Sequence, residues 1–178
     1  MGKVGEKKDN PILHNIATIL SICFVLFHLY TGFFGVIQGI GQKSVHLGFI
    51  MTIFYLNAIT ESKDKWHKII LYALLAFSVA GIVYITAVDS TLQLRAGIVY
   101  SKDIIFGILL IIAIIAATLI KMGKSLVIVT VLFIGYAFLG QSFPGFLNHP
   151  GLTLKKFINL LYLTTDGIFG TPLYACAS

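Results

Sequence analysis

The sequence predicts an all-α membrane protein: a polytopic transmembrane helical bundle of about five spans followed by an amphipathic interfacial helix. Composition is the first ground. Of 178 residues, 57% are hydrophobic and 11% charged, whereas soluble domains carry about a quarter charged residues. The second is the run 104–120, IIFGILLIIAIIAATLI, in which Thr118 is the only polar side chain. At 1.5 Å per residue, roughly 17 residues cover about 26 Å, close to the hydrocarbon thickness of a bilayer. A soluble core helix would show a polar face at the helical period, and this run has none. The third is the placing of the lysines between apolar runs. There a net charge of +6 orients helices across a membrane, and nucleic acid is not expected as a partner.

The elements follow in order. Residues 1–11 form a polar tail with Lys3, Lys7 and Lys8. Asp9 or Asn10 can cap a helix whose first turn suits Pro11. The first apolar run extends from Ile12 to about Ile40, too long for a signal peptide and without a small-residue cleavage site. Gly32, Gly35 and Gly39 fall on one face of it, and such a face lets a neighbouring helix approach closely. After the tight turn 39–42, a second run covers about 44–59. The charged loop 61–68 (ESKDKWHK) offers Trp66 as an interfacial anchor. The third run is 69–88, the connection 89–101 carries Arg95, and 104–120 is the fourth run. Residues 12–124 thus read as a four-helix membrane domain, and 125–140 as a fifth, connecting span.

With the N-terminus inside, the inner segments hold Lys3, Lys7, Lys8, Lys63, Lys65, Lys68, Lys121 and Lys124, and the outer ones Lys43, Arg95 and Lys102. The bias predicts a cytoplasmic N-terminus. Residues 141–178 then lie outside. They open with two Pro-Gly turns, FPGF and NHPG. Residues 153–165 read as a helix with Lys155, Asn159, Tyr162 and Asp166 on one stripe and Leu154, Phe157, Ile158 and Leu161 opposite, a pattern suited to the membrane surface. Gly167, Gly170 and Pro172 break it, and 173–178 begins a further apolar segment that reads as interrupted.

Chemistry is sparsely signalled. His28 is the one ionisable group deep in a run, a candidate proton carrier or ligand whose bland alternative is a neutral imidazole bonded to a neighbouring helix. A haem pair with His46 is rejected on depth. His28 stands about 12 residues, or about 18 Å, from Ile40, whereas His46 stands near the start of the next run. Asp103 suits a helix N-terminus, and Arg95 suits a phospholipid headgroup or an acidic partner. Cys23 and Cys176 have no metal spacing. No catalytic set, metal site or cofactor is expected.

From Leu94 onward, LRAGIVYSKDIIFG, KMGKSL, GYAFLGQSFPGFLNHPG and LYLTTDGIFGTPL occur in succession. Together they resemble the N-terminal part of the fused permease of TAXI-type TRAP transporters, in which a small four-helix subunit is joined to a large transport subunit. HLYTGFFG and SVHLGF are similar to its first two helices. The chain departs from the family pattern at AATLIKMGK, which lacks an acidic residue and an arginine pair, and at Asp166, where the family tends to have Glu. The resemblance implies the scaffold portion of an ion-driven importer of organic solutes, commonly carboxylates. It would work in a bacterial or archaeal inner membrane with a transport subunit and an extracytoplasmic solute-binding protein, and would not transport alone. It also implies that the substrate and ion sites lie beyond Ser178. The alternative is a self-contained small membrane protein, an assembly factor or a membrane enzyme.

Overall fold

The computed structural model describes residues 11–35, 39–92, 94–95 and 97–177. The capping roles expected of Asp9 and Asn10, and most of the N-terminal tail, lie outside these residues. Among the described residues the regular structure is all helix. Helices α1 (Pro11–Phe34), α2 (Gly41–Glu61), α3 (Lys65–Leu92), α4 (Ser101–Met122) and α5 (Lys124–Leu139) run up and down in sequence. A short α6 (Leu154–Ile158) continues into a π-turn (Asn159–Leu163), and α7 (Thr171–Ala177) follows. Among the described residues, four helical stretches are long and apolar enough to cross a membrane: 12–34, 65–92, 101–122 and 124–142. Helix α2 is long enough but more polar, and it packs against α1, α3 and α4.

Antiparallel register places the pairs. His28 meets His46 across α1 and α2. Ser44 meets Thr86, and the Gly48 backbone faces Ile82, across α2 and α3. Gly81 faces Leu110 across α3 and α4. Tyr55 reaches over from α2 to donate to the Ala113 carbonyl on α4 at 2.6 Å. Helices α2, α3 and α4 therefore form the inner layer, with a core of Met51, Tyr55, Ile59, Leu71, Leu74 and Ala113 towards one end. Helices α1 and α5 lie outside; α5 has no fully buried residue, and only its Ile134 and Phe138 pack, partly buried, on the core.

The ends of several runs differ from the expectation because single residues stop the helices. Helix α1 ends at Phe34, not near Ile40. Gly35 has φ 101°, and its N–H bonds the Thr31 carbonyl at 3.0 Å, the left-handed glycine stop. The charged segment 61–68 is mostly helix. Only 62–64 is loop, and the Asp64 carboxylate accepts from the N–H groups of Trp66 and His67 at 3.3 and 3.4 Å, capping α3. Trp66 itself is 74% exposed, where an interfacial anchor would lie.

Among the described residues, nothing packs on the expected small-residue face at Gly32 or Gly35. At Gly32 and Gly35 a Cβ would meet open space, and Gly39 (φ 77°) lies under the Asp89 carboxylate. The close helix crossings use other glycines. A Cβ at Gly81 would stand 2.8 Å from Leu110 Cβ, and one at Gly107 3.0 Å from the Tyr162 ring.

Candidate functional site

The α3–α4 connection is held by a buried ion pair. Asp103 stands in the first turn of α4 and reaches back to accept from the Tyr100 N–H at 2.7 Å, the acidic half of a capping box. Arg95 donates to both carboxylate oxygens, at 2.8 and 3.0 Å, and Tyr84 on α3 donates to one of them at 2.7 Å. The Tyr100 ring lies 4.9 Å from the guanidinium carbon, and Tyr84 stacks on Phe106 at 4.5 Å. Asp103 is fully buried and Arg95 is 12% exposed. The hydrogen bonds to Asp103 hold the Arg95 guanidinium above its ordinary value, so it stays charged. Arg95 thus meets an acid of its own chain. Asp103 does sit at a helix N-terminus, but its bonds to Arg95 and Tyr84 give it a second role.

Beside this pair lies a cavity of about 110 Å³ lined by Leu92, Arg95, Gly97, Asn159, Leu163 and Thr164, among others. It joins the connection to the folded-back segment. That segment is not a surface helix with a polar stripe. Lys155 and Asp166 are exposed and Asn159 is half-buried, but Tyr162 is fully buried and donates to the Gly81 carbonyl on α3. The π-turn makes the difference. It widens the helix by one residue and brings Tyr162 and Leu163 to the same buried side as Phe157 and Ile158. Gly167 then packs so close to the Leu161 backbone that a Cβ would overlap it. Ile168 N–H bonds the Leu161 carbonyl at 2.9 Å, and Gly170 N–H the Gly167 carbonyl at 3.0 Å. Pro172 enters α7 in its first turn, exposed, and α7 returns to α2, where the Gln42 side chain donates to the Ala177 carbonyl.

His28 and His46 form a direct hydrogen bond, Nε2 to Nδ1 at 2.8 Å, ringed by Phe24, Phe27 and Phe49. The depth argument that separated them fails because α1 is shorter than its apolar run. His28 lies six residues from the end of α1 and His46 five from the start of α2. The two nitrogens face one another, and the pair ties α1 to α2 as the bland alternative for His28 expected. A second carboxylate, Asp89, accepts from the Ile40 and Gly41 N–H groups at 3.2 and 3.1 Å, capping α2 from α3.

The stretch 136–151 is a hydrogen-bonded knot. His149 Nδ1 accepts from the Gly151 N–H at 3.1 Å, which leaves Nε2 protonated to donate to the Tyr136 carbonyl at 3.1 Å. Asn148 donates to the Gln141 and Phe143 carbonyls, and Gln141 to that of Pro150. The His149 ring occupies the space a Cβ on Gly140 would take. Between α4, α5 and the folded-back segment runs an apolar groove of about 470 Å³.

Sequence reasoning did not pair Arg95 with Asp103 or bring in Tyr84, Asp89 and His149. Opposite charges flanking a short connection between two apolar runs were the available signal for the first pair. No group of three or more metal-ligating side chains occurs among the described residues. Comparison with known protein families, with curated proteins and with solved structures gives no match.

Proposed function

We propose that this protein is the membrane scaffold portion of a TRAP-type secondary importer of organic solutes, carboxylates among them, driven by an ion gradient. It works with a transport subunit and an extracytoplasmic solute-binding protein, in a bacterial or archaeal inner membrane with its N-terminus in the cytoplasm. The observation that carries the reading is how polar groups are used. Asp89, Asp103, Arg95, Tyr55, Tyr162 and the His28–His46 pair each bond one helix or connection to another, which stiffens a frame. Around that frame α5 has no fully buried residue, and its Val131, Leu132 and Phe133 stand exposed, as on a span that contacts a partner. The succession of motifs from Leu94 to Leu173 supports the same reading.

Co-expression with a TRAP transport subunit tests it. The expected result is a complex that survives detergent extraction and takes up solute in vesicles only when both chains and the binding protein are present. A chain that stays monodisperse alone beside the transport subunit, and leaves uptake unchanged, would refute the scaffold role.

A further inference from the structure

We infer that the turn between α5 and α6, residues 140–152, is set into the bilayer interface and contacts lipid through the ring of Phe146. The inference rests on the membrane class of the chain and on the geometry of the turn, and is independent of the transport reading.

The turn does not lead away from the membrane but doubles back along the last turns of α5. The Tyr136 hydroxyl donates to the Leu147 carbonyl at 2.8 Å, His149 Nε2 to the Tyr136 carbonyl at 3.1 Å, and the Leu152 N–H to the Ala137 carbonyl at 2.8 Å. The apolar stretch that holds these anchors runs from Lys124 to Ser142, so Ala137 lies about 8 Å inside its end. Residues 147–152 therefore return to a depth that the span itself occupies. Composition agrees. From Ser125 to Leu154 there is no Asp, Glu, Lys or Arg, the residue types that keep a surface loop in water. Irregular backbone at membrane depth has to find its hydrogen bonds within protein, and this turn finds many in itself. Gln141, Asn148 and His149 all donate to carbonyls between 136 and 150. The N–H groups of Phe143, Asn148 and Gly151 are bonded inside the turn, and Pro144 and Pro150 have none to satisfy. The turn meanwhile presents apolar side chains. Phe146 is 96% exposed, and Leu139 and Leu147 are exposed too, as are Leu132 and Phe133 on α5. A ring held on so closely bonded a turn is a wedge for the acyl region just below the headgroups. Ser142, at the end of the span, stays among the headgroups.

The test uses the full chain in phosphatidylcholine vesicles. Trp66 is the only tryptophan, so Trp66→Phe combined with Phe146→Trp makes position 146 the sole emitter. Its emission is expected to be blue-shifted and to fall steeply with phosphatidylcholine brominated in the upper acyl chain, while aqueous iodide quenches it less. Leu147→Trp in the same background is read in the same way should Phe146→Trp misfold, and circular dichroism and size-exclusion profiles control for folding. Quenching by iodide as strong as that by the brominated lipid, or stronger, would place the turn in water and overturn the inference. A folded chain quenched by neither would place the ring against protein, its own or a second copy, and overturn it equally.

Discussion

At the residue scale, the buried carboxylate Asp103 and one glycine carry the sharpest consequences. Asp103 is fully buried, and removing its charge leaves Arg95 nearly buried without its partner. Breaking such a pair costs about 3 kcal/mol. Asp103→Asn is therefore expected to lower the unfolding midpoint in detergent by several degrees, and Tyr84→Phe by less, at about 1.5 kcal/mol. The Arg95→Gln, Asp103→Asn double variant should lose less than the sum of the two single changes, because the second removes a charge the first has orphaned. Thermal melts of the four proteins decide this, and additive losses would mean that the pair is not coupled. Gly140→Ala should cost about 1–3 kcal/mol by pushing into the His149 ring. His149→Ala in the same chain should relieve the steric part of that loss. These roles were only partly legible. Asp103 announces a helix start by its position, but its bond to Arg95 depends on how α3 and α4 are placed against each other, which no local pattern encodes.

At the element scale, two helix ends are set by groups distant in sequence. Helix α2 has no side-chain cap of its own and takes the carboxylate of Asp89 from the end of α3. An anion at a helix N-terminus satisfies orphan N–H groups and the dipole together. Asp89→Ala is expected to cost about 1 kcal/mol and to speed hydrogen exchange at the amides of Ile40 and Gly41. Unchanged exchange there would show that the cap is dispensable. The folded-back segment is held in the same long-range way, by Tyr162 against Gly81 and Gly107. Tyr162→Phe should expose the 164–170 turn to limited proteolysis while α1 to α5 stay intact. An amphipathic pattern read at 3.6 residues per turn could not anticipate this arrangement, because the π-turn shifts the phase within the helix itself.

At the scale of the whole molecule, three inner helices are packed and cross-linked by hydrogen bonds, and the two outer helices leave most of their apolar side chains exposed. The loops 62–64 and Gly123 lie at one end of the bundle, and 97–100 and 140–153 at the other. If the lysine bias orients the chain, Ser62→Cys faces the cytoplasm and Ser142→Cys the outside. In a background with Cys23 and Cys176 replaced, a membrane-impermeant maleimide applied to intact cells should label position 142 and spare 62. The reverse pattern would invert the topology. The sequence by itself determined the all-helical membrane class and the places of the apolar runs, because lipid rewards uninterrupted apolar length and helix-internal hydrogen bonding, both local properties of the chain. It also carried the glycine that stops α1 at Gly35, although the apolar run alone read past it. Only the tertiary structure decided which polar groups meet. The pairing of Arg95 with Asp103, the level contact of His28 with His46, and the burial of Tyr162 each depend on helix ends and register. Those are fixed by contacts between residues far apart in sequence, where a shift of one turn would separate every pair.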